Sequence, residues 1–167
     1  MSGPHALLFV CLGNICRSPM AEGIFLHLAR ERGVSDRFVV DSCGTGGWHV
    51  GSRPDPRAEG TAGVRGVVLP GRARQFDAAT DPGRFTLMLA MDASNARTLI
   101  DRGARAESVR LMRSFDPTLR HLVDESGRPR AGADLDVPDP YYGGDRGFEE
   151  VYEMLVRACD GLLDELA

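Results

Sequence analysis

Long apolar runs are missing from this sequence: nowhere do the roughly 20 consecutive apolar residues of a membrane span occur. Met1 to Val10 also lacks the charged start and extended apolar middle of a secretory signal, so a cytoplasmic, reducing setting is expected. Cysteine is scarce, with four in 167 residues. Cys11, Cys16, Cys43 and Cys159 are too scattered for a disulfide scaffold. A four-cysteine zinc site is disfavoured because Cys43 and Cys159 make no second close pair. The histidines, His5, His27, His49 and His121, show no ligand spacing either. Nor is there an excess of positive charge. The formal net charge is -4, which argues against nucleic acid or an anionic membrane as the main partner. Any anion site must be local. What remains is a chain about one domain long, long enough to bury a real core, with no internal repeat.

The apolar segments that do occur are short and alternate in kind. Ala6 to Val10 (ALLFV) reads as a strand buried on both faces of a parallel sheet. A helix follows: Ser18 is positioned to cap it, Pro19 to open it, and Met20, Ile24 and Leu28 recur at helical spacing towards Gly33. RFVVD (Arg37 to Asp41) reads as a second strand, leading into a glycine-rich loop over Ser42 to Ser52. A second helix is opened by Asp55-Pro56 and weakened by Gly60 and Gly63. A third strand is expected at Phe85 to Met91, a helix at Ser94 to Arg102, and a short fourth strand at Val109 to Met112. The last helix carries a broad apolar stripe from Phe148 to Leu166. Strands alternating with helices predict a single-domain α/β fold, with a doubly wound four-stranded parallel sheet and helices on both faces. Residues 124–136, polar and aperiodic, are expected to form a surface loop or small hairpin.

In such a fold, ligands sit beyond the carboxyl ends of the strands, and VCLGNICRSPMAEG (Val10 to Gly23) lies at one of those ends. A thiol at Cys11 would face the first turn of the helix that follows, where free N–H groups favour a thiolate. If the loop curls back, Arg17 lies over the same point and offers a two-oxygen grip on a tetrahedral oxyanion. Gly13 and Asn14 tolerate the positive φ that lets successive amides converge on one anion. The chemistry suggested is attack on phosphorus by Cys11, with the amides of Leu12, Gly13, Asn14, Ile15 and Cys16 and the Arg17 guanidinium holding the non-bridging oxygens. Ser18 would donate a hydrogen bond to the sulfur. The motif is not a nucleotide P-loop, since no Gly-Lys-Ser/Thr follows the glycines.

CLGNICRS resembles the anion loop of the low-molecular-weight protein tyrosine phosphatases. The likeness continues through DSCGTGGWHVGSRPDPRA (Asp41 to Ala58), MDASN (Met91 to Asn95) and DPYYGG with FEEVYE (Asp139 to Gly144, Phe148 to Glu153). It covers nearly the whole chain, with four motifs in the family's order. By position it implies Cys11 as nucleophile, Arg17 as phosphate clamp and Asp139 as general acid. Ser18 would assist the thiolate, and Asn14 with Ser42 would brace the loop from behind. Trp48, Tyr141 and Tyr142 would form aromatic walls for the substrate ring. The resemblance also implies an enzyme without metal or cofactor. It would act as a monomer on tyrosine-phosphorylated proteins and be inhibited by phosphate, vanadate or similar oxyanions. Two departures stand out. Gly71 occupies a position where the family often has a histidine behind the loop, and the segment before Asp139 is longer than usual.

Several readings compete. Arsenate reductases of this fold use two further downstream cysteines, and none lies between Cys43 and Cys159. Protein-arginine phosphatases would have threonine at Ile15 and lack the Tyr-Tyr pair. A phosphotyrosine-binding module would need neither Cys11 nor Asp139. Asp92, Asp136 and Asp145 are alternatives for the acid, Asp92 also being read as orienting Arg17 or starting a helix. Cys16 is either structural or a thiol that captures oxidised Cys11. His49 is read as a solvated rim residue, and Asp55 as a helix cap.

Overall fold

A computed structural model describes residues 3–167, the side chain of Asp145 excepted. Four parallel strands form one sheet in the order β2-β1-β3-β4, where β1 is His5–Cys11, β2 Phe38–Gly44, β3 Leu87–Ala90 and β4 Val109–Leu111. β1 is central, as its uninterrupted apolar run requires: Leu7, Leu8, Phe9 and Val10 are fully buried. Its alternate residues serve two cores. Leu7 and Phe9, with Leu89, pack beneath α1 (Arg17–Glu31), α2 (Pro56–Gly63) and α5 (Asp145–Leu166). Leu8 and Val10, with Met88, Ala90 and Val109, face Phe76, Phe85 and Leu99 of α4 (Ala93–Asp101) on the other side. The sheet is therefore doubly wound. The chain leaves β1 for β2 on one side and crosses back to β3 on the other, so the strand order reverses where the carboxyl ends of β1 and β3 meet.

α5 owes its place to its apolar stripe, with Phe148, Val151, Leu155, Cys159, Leu162 and Leu163 each at most 1% exposed. Asp55 caps α2 by accepting the Arg57 N–H at 2.8 Å, and Pro56 takes the position after it. Among the described residues, no helix is long and apolar enough to cross a membrane.

The strand and helix ends differ from expectation in identifiable places. β2 runs on to Gly44 because its last three residues still pair with β1. β3 starts only at Leu87. The sequence pattern also gave no sign of α3 (Asp81–Arg84), a single turn built around the fully buried Asp81 carboxylate. α1 begins at Arg17, so Ser18 is not its cap; the Ser18 hydroxyl is turned to the Cys11 sulfur instead. The 124–136 segment begins as a small hairpin: Val123 and Pro129 pair, and the Arg130 N–H donates to Leu122 O at 2.8 Å. Its last part is not surface. Leu135 is 1% exposed, and the Val137 N–H reaches Met91 O at 2.7 Å, which returns the chain to the end of β3.

Candidate active site

β1 ends at Cys11, beside the point where the strand order reverses. The chain then turns through Asn14, whose φ of 57° is a left-handed conformation that asparagine enters more readily than most residues. The carbonyls of Cys11, Leu12 and Ile15 are drawn outward by the N–H groups of Thr45, Gly46 and Asp55, at 2.9, 2.9 and 2.8 Å. C=O and N–H of a trans peptide point in opposite directions, so the N–H groups of Leu12, Gly13 and Cys16 face the other way, into the loop. Together with the first turn of α1, they make a concave site suited to a small anion. Gly44 permits this close approach. A Cβ there would lie 2.6 Å from Leu12 O.

The Cys11 thiol is 3% exposed. Its Sγ accepts the Asn14 N–H at 3.2 Å and lies 3.0 Å from Ser18 Oγ. Behind the loop, Asn14 Nδ2 donates to Ser18 Oγ at 2.7 Å and to Ser42 Oγ at 3.0 Å. Its Oδ1 accepts the Arg74 N–H at 3.0 Å. Ser18 Oγ thus accepts from Asn14 and lies within reach of both the Cys11 sulfur and, at 3.4 Å, Cys43 O; a thiolate at Cys11 would draw the hydroxyl proton to itself.

Arg17 is 3% exposed and fixed on two sides. Nη1 donates to Asp92 Oδ2 at 2.7 Å and to Val137 O at 3.0 Å, and Nη2 faces Asp139 Oδ2 at 3.5 Å. Burial works against its charge, but the Cys11 sulfur and the hydrogen-bonded Asp92 outweigh it, and its pKa is raised. Asp92 also caps α4, its Oδ1 accepting the Asn95 N–H at 2.7 Å. Asp92 thus both orients Arg17 and starts α4, and these two contacts occupy both of its oxygens. Asp136 is engaged elsewhere, accepting the Ala93 N–H at 2.9 Å. The third alternative, Asp145, has its side chain outside the described residues.

Asp139 opens a short 3-10 turn, Pro140–Tyr142, and its Oδ1 accepts the Tyr141 N–H at 3.0 Å. A cavity of about 430 Å³ brings together Cys11, Ile15, Arg17, Trp48, Asp139 and the Tyr141-Tyr142 pair. Trp48 and Tyr142 are largely exposed at its mouth, whereas Tyr141 is turned inward and only 37% exposed. Gly46 seats the indole: a Cβ there would lie 1.8 Å from the Trp48 ring. A cavity of similar size between β4, the hairpin and α5 is lined by Arg110, Asp124 and Asp164 and holds no thiol.

Over residues 6–167 the sequence matches the family model described as low molecular weight phosphotyrosine protein phosphatase. The chain belongs to this family. It is 44% identical over 162 residues to a low molecular weight protein-tyrosine-phosphatase of Streptomyces coelicolor, covering 95% of this chain and 92% of the relative. It is also 44% identical over 165 residues to low molecular weight protein-tyrosine phosphatase A of Mycobacterium tuberculosis, covering 98% and 93%. Among solved structures, a protein tyrosine phosphatase from Entamoeba histolytica superposes with a TM-score of 0.83 at 32% identity, covering 97% of this chain and 96% of that one.

This member of the family supports its loop with residues that pattern reading passed over. Glu22, 7% exposed, accepts the Ser42 hydroxyl at 2.6 Å, which extends the polar chain behind Cys11 by one carboxyl. Burial, added to by the charge of Asp41, pushes the Glu22 pKa up to about 7 against the pull of Ser42 and Arg74. The Arg74 guanidinium grips Asp41 at 3.0 Å and Asp81 at 2.9 Å, which pins the segment whose backbone serves Asn14. Gly71 is exposed with φ 78°, yet both functional ends of the Asn14 amide are engaged. His49 is half-buried in the lining of the cavity beside the exposed Trp48, its ring 6.1 Å from that of Tyr141. The Cys16 thiol is buried, and burial, with Asp55, Cys11 and Asp139 adding to it, raises its pKa and keeps it neutral.

Proposed function

We propose that this protein is a metal-independent protein tyrosine phosphatase working through a cysteinyl-phosphate. The observation that carries this reading is the convergence of the Cys11 sulfur, inward-facing loop amides, the Arg17 guanidinium and the Asp139 carboxyl on one aromatic-walled cavity. The names of the relatives support phosphotyrosine as the substrate class. In the first step Cys11 Sγ attacks phosphorus and the P–O bond to tyrosine breaks, while Asp139 passes its proton to the departing phenolate. Loop amides and Arg17 hold the three non-bridging oxygens through the transition state. In the second step Asp139 takes a proton from water, the resulting hydroxide attacks phosphorus, and the S–P bond breaks. Ser18 stabilises the thiolate that leaves.

Tyrosine-phosphorylated proteins are then the partners, phosphate and vanadate the inhibitors, and a monomer in a reducing cytoplasm the working form. Four free thiols suit that setting.

A general acid matters most where the leaving group most needs a proton. Asp139→Asn should slow phosphoryl transfer from phosphotyrosine peptide by roughly 10²–10⁴-fold. Transfer from an activated aryl phosphate should slow far less. Pre-steady-state measurements showing equal losses for both substrates would remove Asp139 from the role of acid.

A further inference from the structure

Arg57 lies outside the cavity and touches none of the reacting groups, yet its contacts join the two loops that carry them. Its guanidinium forks onto Asp55, Nε to Oδ1 at 3.1 Å and Nη2 to Oδ2 at 2.9 Å. Asp55 is 8% exposed, and its backbone N–H donates to Ile15 O at 2.8 Å, so this carboxylate is fixed to the anion loop. The same guanidinium lies over two aromatic rings, 5.4 Å from the centre of Tyr141 and 4.8 Å from that of Phe148. Tyr141 follows Asp139 by two residues, and its N–H donates to the Asp139 carboxylate. Phe148, 1% exposed, anchors the start of α5 in the core.

We propose that Arg57 is a positioning residue for the acid, setting the distance between the loop that carries Asp139 and the loop that carries Cys11. The proposal rests on the reading of Asp139 as general acid. Beyond Tyr141 the acid's loop is exposed through Tyr142, Gly143 and Gly144, where it has little packing of its own. Arg57 grips that loop from outside, through the ring next to its free end, and transmits the position of Ile15 to it. An arginine suits this task because its planar group can fork onto a carboxylate at its edge while its face lies on aromatic rings. A lysine ammonium can keep the attraction to the rings but not the two-point grip on Asp55.

A residue that merely stabilised the fold would lower all turnover alike. One that positions the acid lowers it selectively. Arg57→Met keeps the apolar stem and removes the fork. It should slow the first step with phosphotyrosine peptide by roughly 3- to 30-fold, the range that cation–π contacts allow, and leave an activated aryl phosphate within about twofold of wild type. Arg57→Lys should fall between Arg57→Met and wild type. In an Asp139→Asn background Arg57→Met should add almost nothing, because the group it positions is gone. Equal losses for both substrates, or a loss that multiplies in full on Asp139→Asn, would overturn the proposal while leaving the acid's assignment standing. If Asp139→Asn alone shows no dependence on leaving group, the assignment falls and the proposal with it.

Discussion

Arg17 and Asp92 meet at 2.7 Å across the point where the strand order reverses, and the carboxylate that orients the guanidinium also holds the N-terminus of α4 with its other oxygen. One side chain thus holds both the guanidinium proposed as phosphate clamp and the end of a helix, and substitutions can separate the two tasks. Asp92→Asn keeps an oxygen for the Asn95 N–H but turns an amide donor towards Arg17. Turnover should fall roughly 10- to 100-fold through misplacement of the clamp, with little change in melting temperature. Asp92→Ala should lose a similar amount of activity and also about 1 kcal/mol of stability, because the cap is gone. Urea unfolding of both variants beside kcat tests the separation.

Glu22 makes stability depend on pH in an unusual direction. Its folded-state pKa, near 7, lies above the ordinary value of 4.5, so the folded protein holds a proton that the unfolded chain releases first. Stability from this group is complete below the ordinary value and is lost as pH rises through about 7. Glu22→Gln removes the titration. Between roughly pH 5 and pH 8 the wild type should lose about 1–3 kcal/mol more than this variant, read from urea midpoints. Parallel pH dependence in the two proteins would show that Glu22 does not titrate in this range.

Asn14 combines a left-handed backbone with three hydrogen bonds from its side chain. Asn14→Ala should lose both and cost about 2–4 kcal/mol of stability. Asn14→Gly relieves the backbone and should recover part of that stability. Neither should recover turnover, since the Ser18 and Ser42 hydroxyls lose the amide that orders them. Chemical denaturation compared with kcat on the same samples decides whether backbone or side chain governs the loop.

The sheet was legible because each strand needs a short apolar run, and β1 and β3 have one that nothing interrupts. α5 was legible for the same reason at helical spacing. Cys11, Arg17 and Asp139 stood out because a thiol, a guanidinium and a Pro-flanked carboxyl occur in motifs with chemical meaning. Other residues left no such trace. Glu22 sits in α1 between Ala21 and Gly23, where a glutamate looks like any solvated helical residue until the fold buries it under β2. Asp81 makes α3 through bonds to Arg74 and to the Asp77 N–H that form only once the loop has folded, and no periodicity marks them. Leu135 is the one large apolar side chain in a polar stretch, too little to signal burial. Ser18 satisfied the rules for a helix cap, but sulfur at Cys11 competes for the same hydroxyl and wins. Tertiary partners decided each of these, and local pattern does not record them.

The carbonyls of Cys11, Leu12 and Ile15 are bonded outward, which leaves the facing N–H groups to line the loop. On the proposed function, much of the cradle for the phosphoryl group is main-chain N–H, which any residue but proline supplies where the backbone conformation permits it. The side chains of Leu12 and Ile15 are therefore released from phosphate binding and free to face the group to which the phosphate is attached. Substitutions at these two positions, and at Trp48 and His49 in the same cavity, are expected to change which phosphorylated molecule is accepted while the cradle stays intact. The cradle and the walls of the proposed site are then chemically separable, although they occupy the same few residues of sequence.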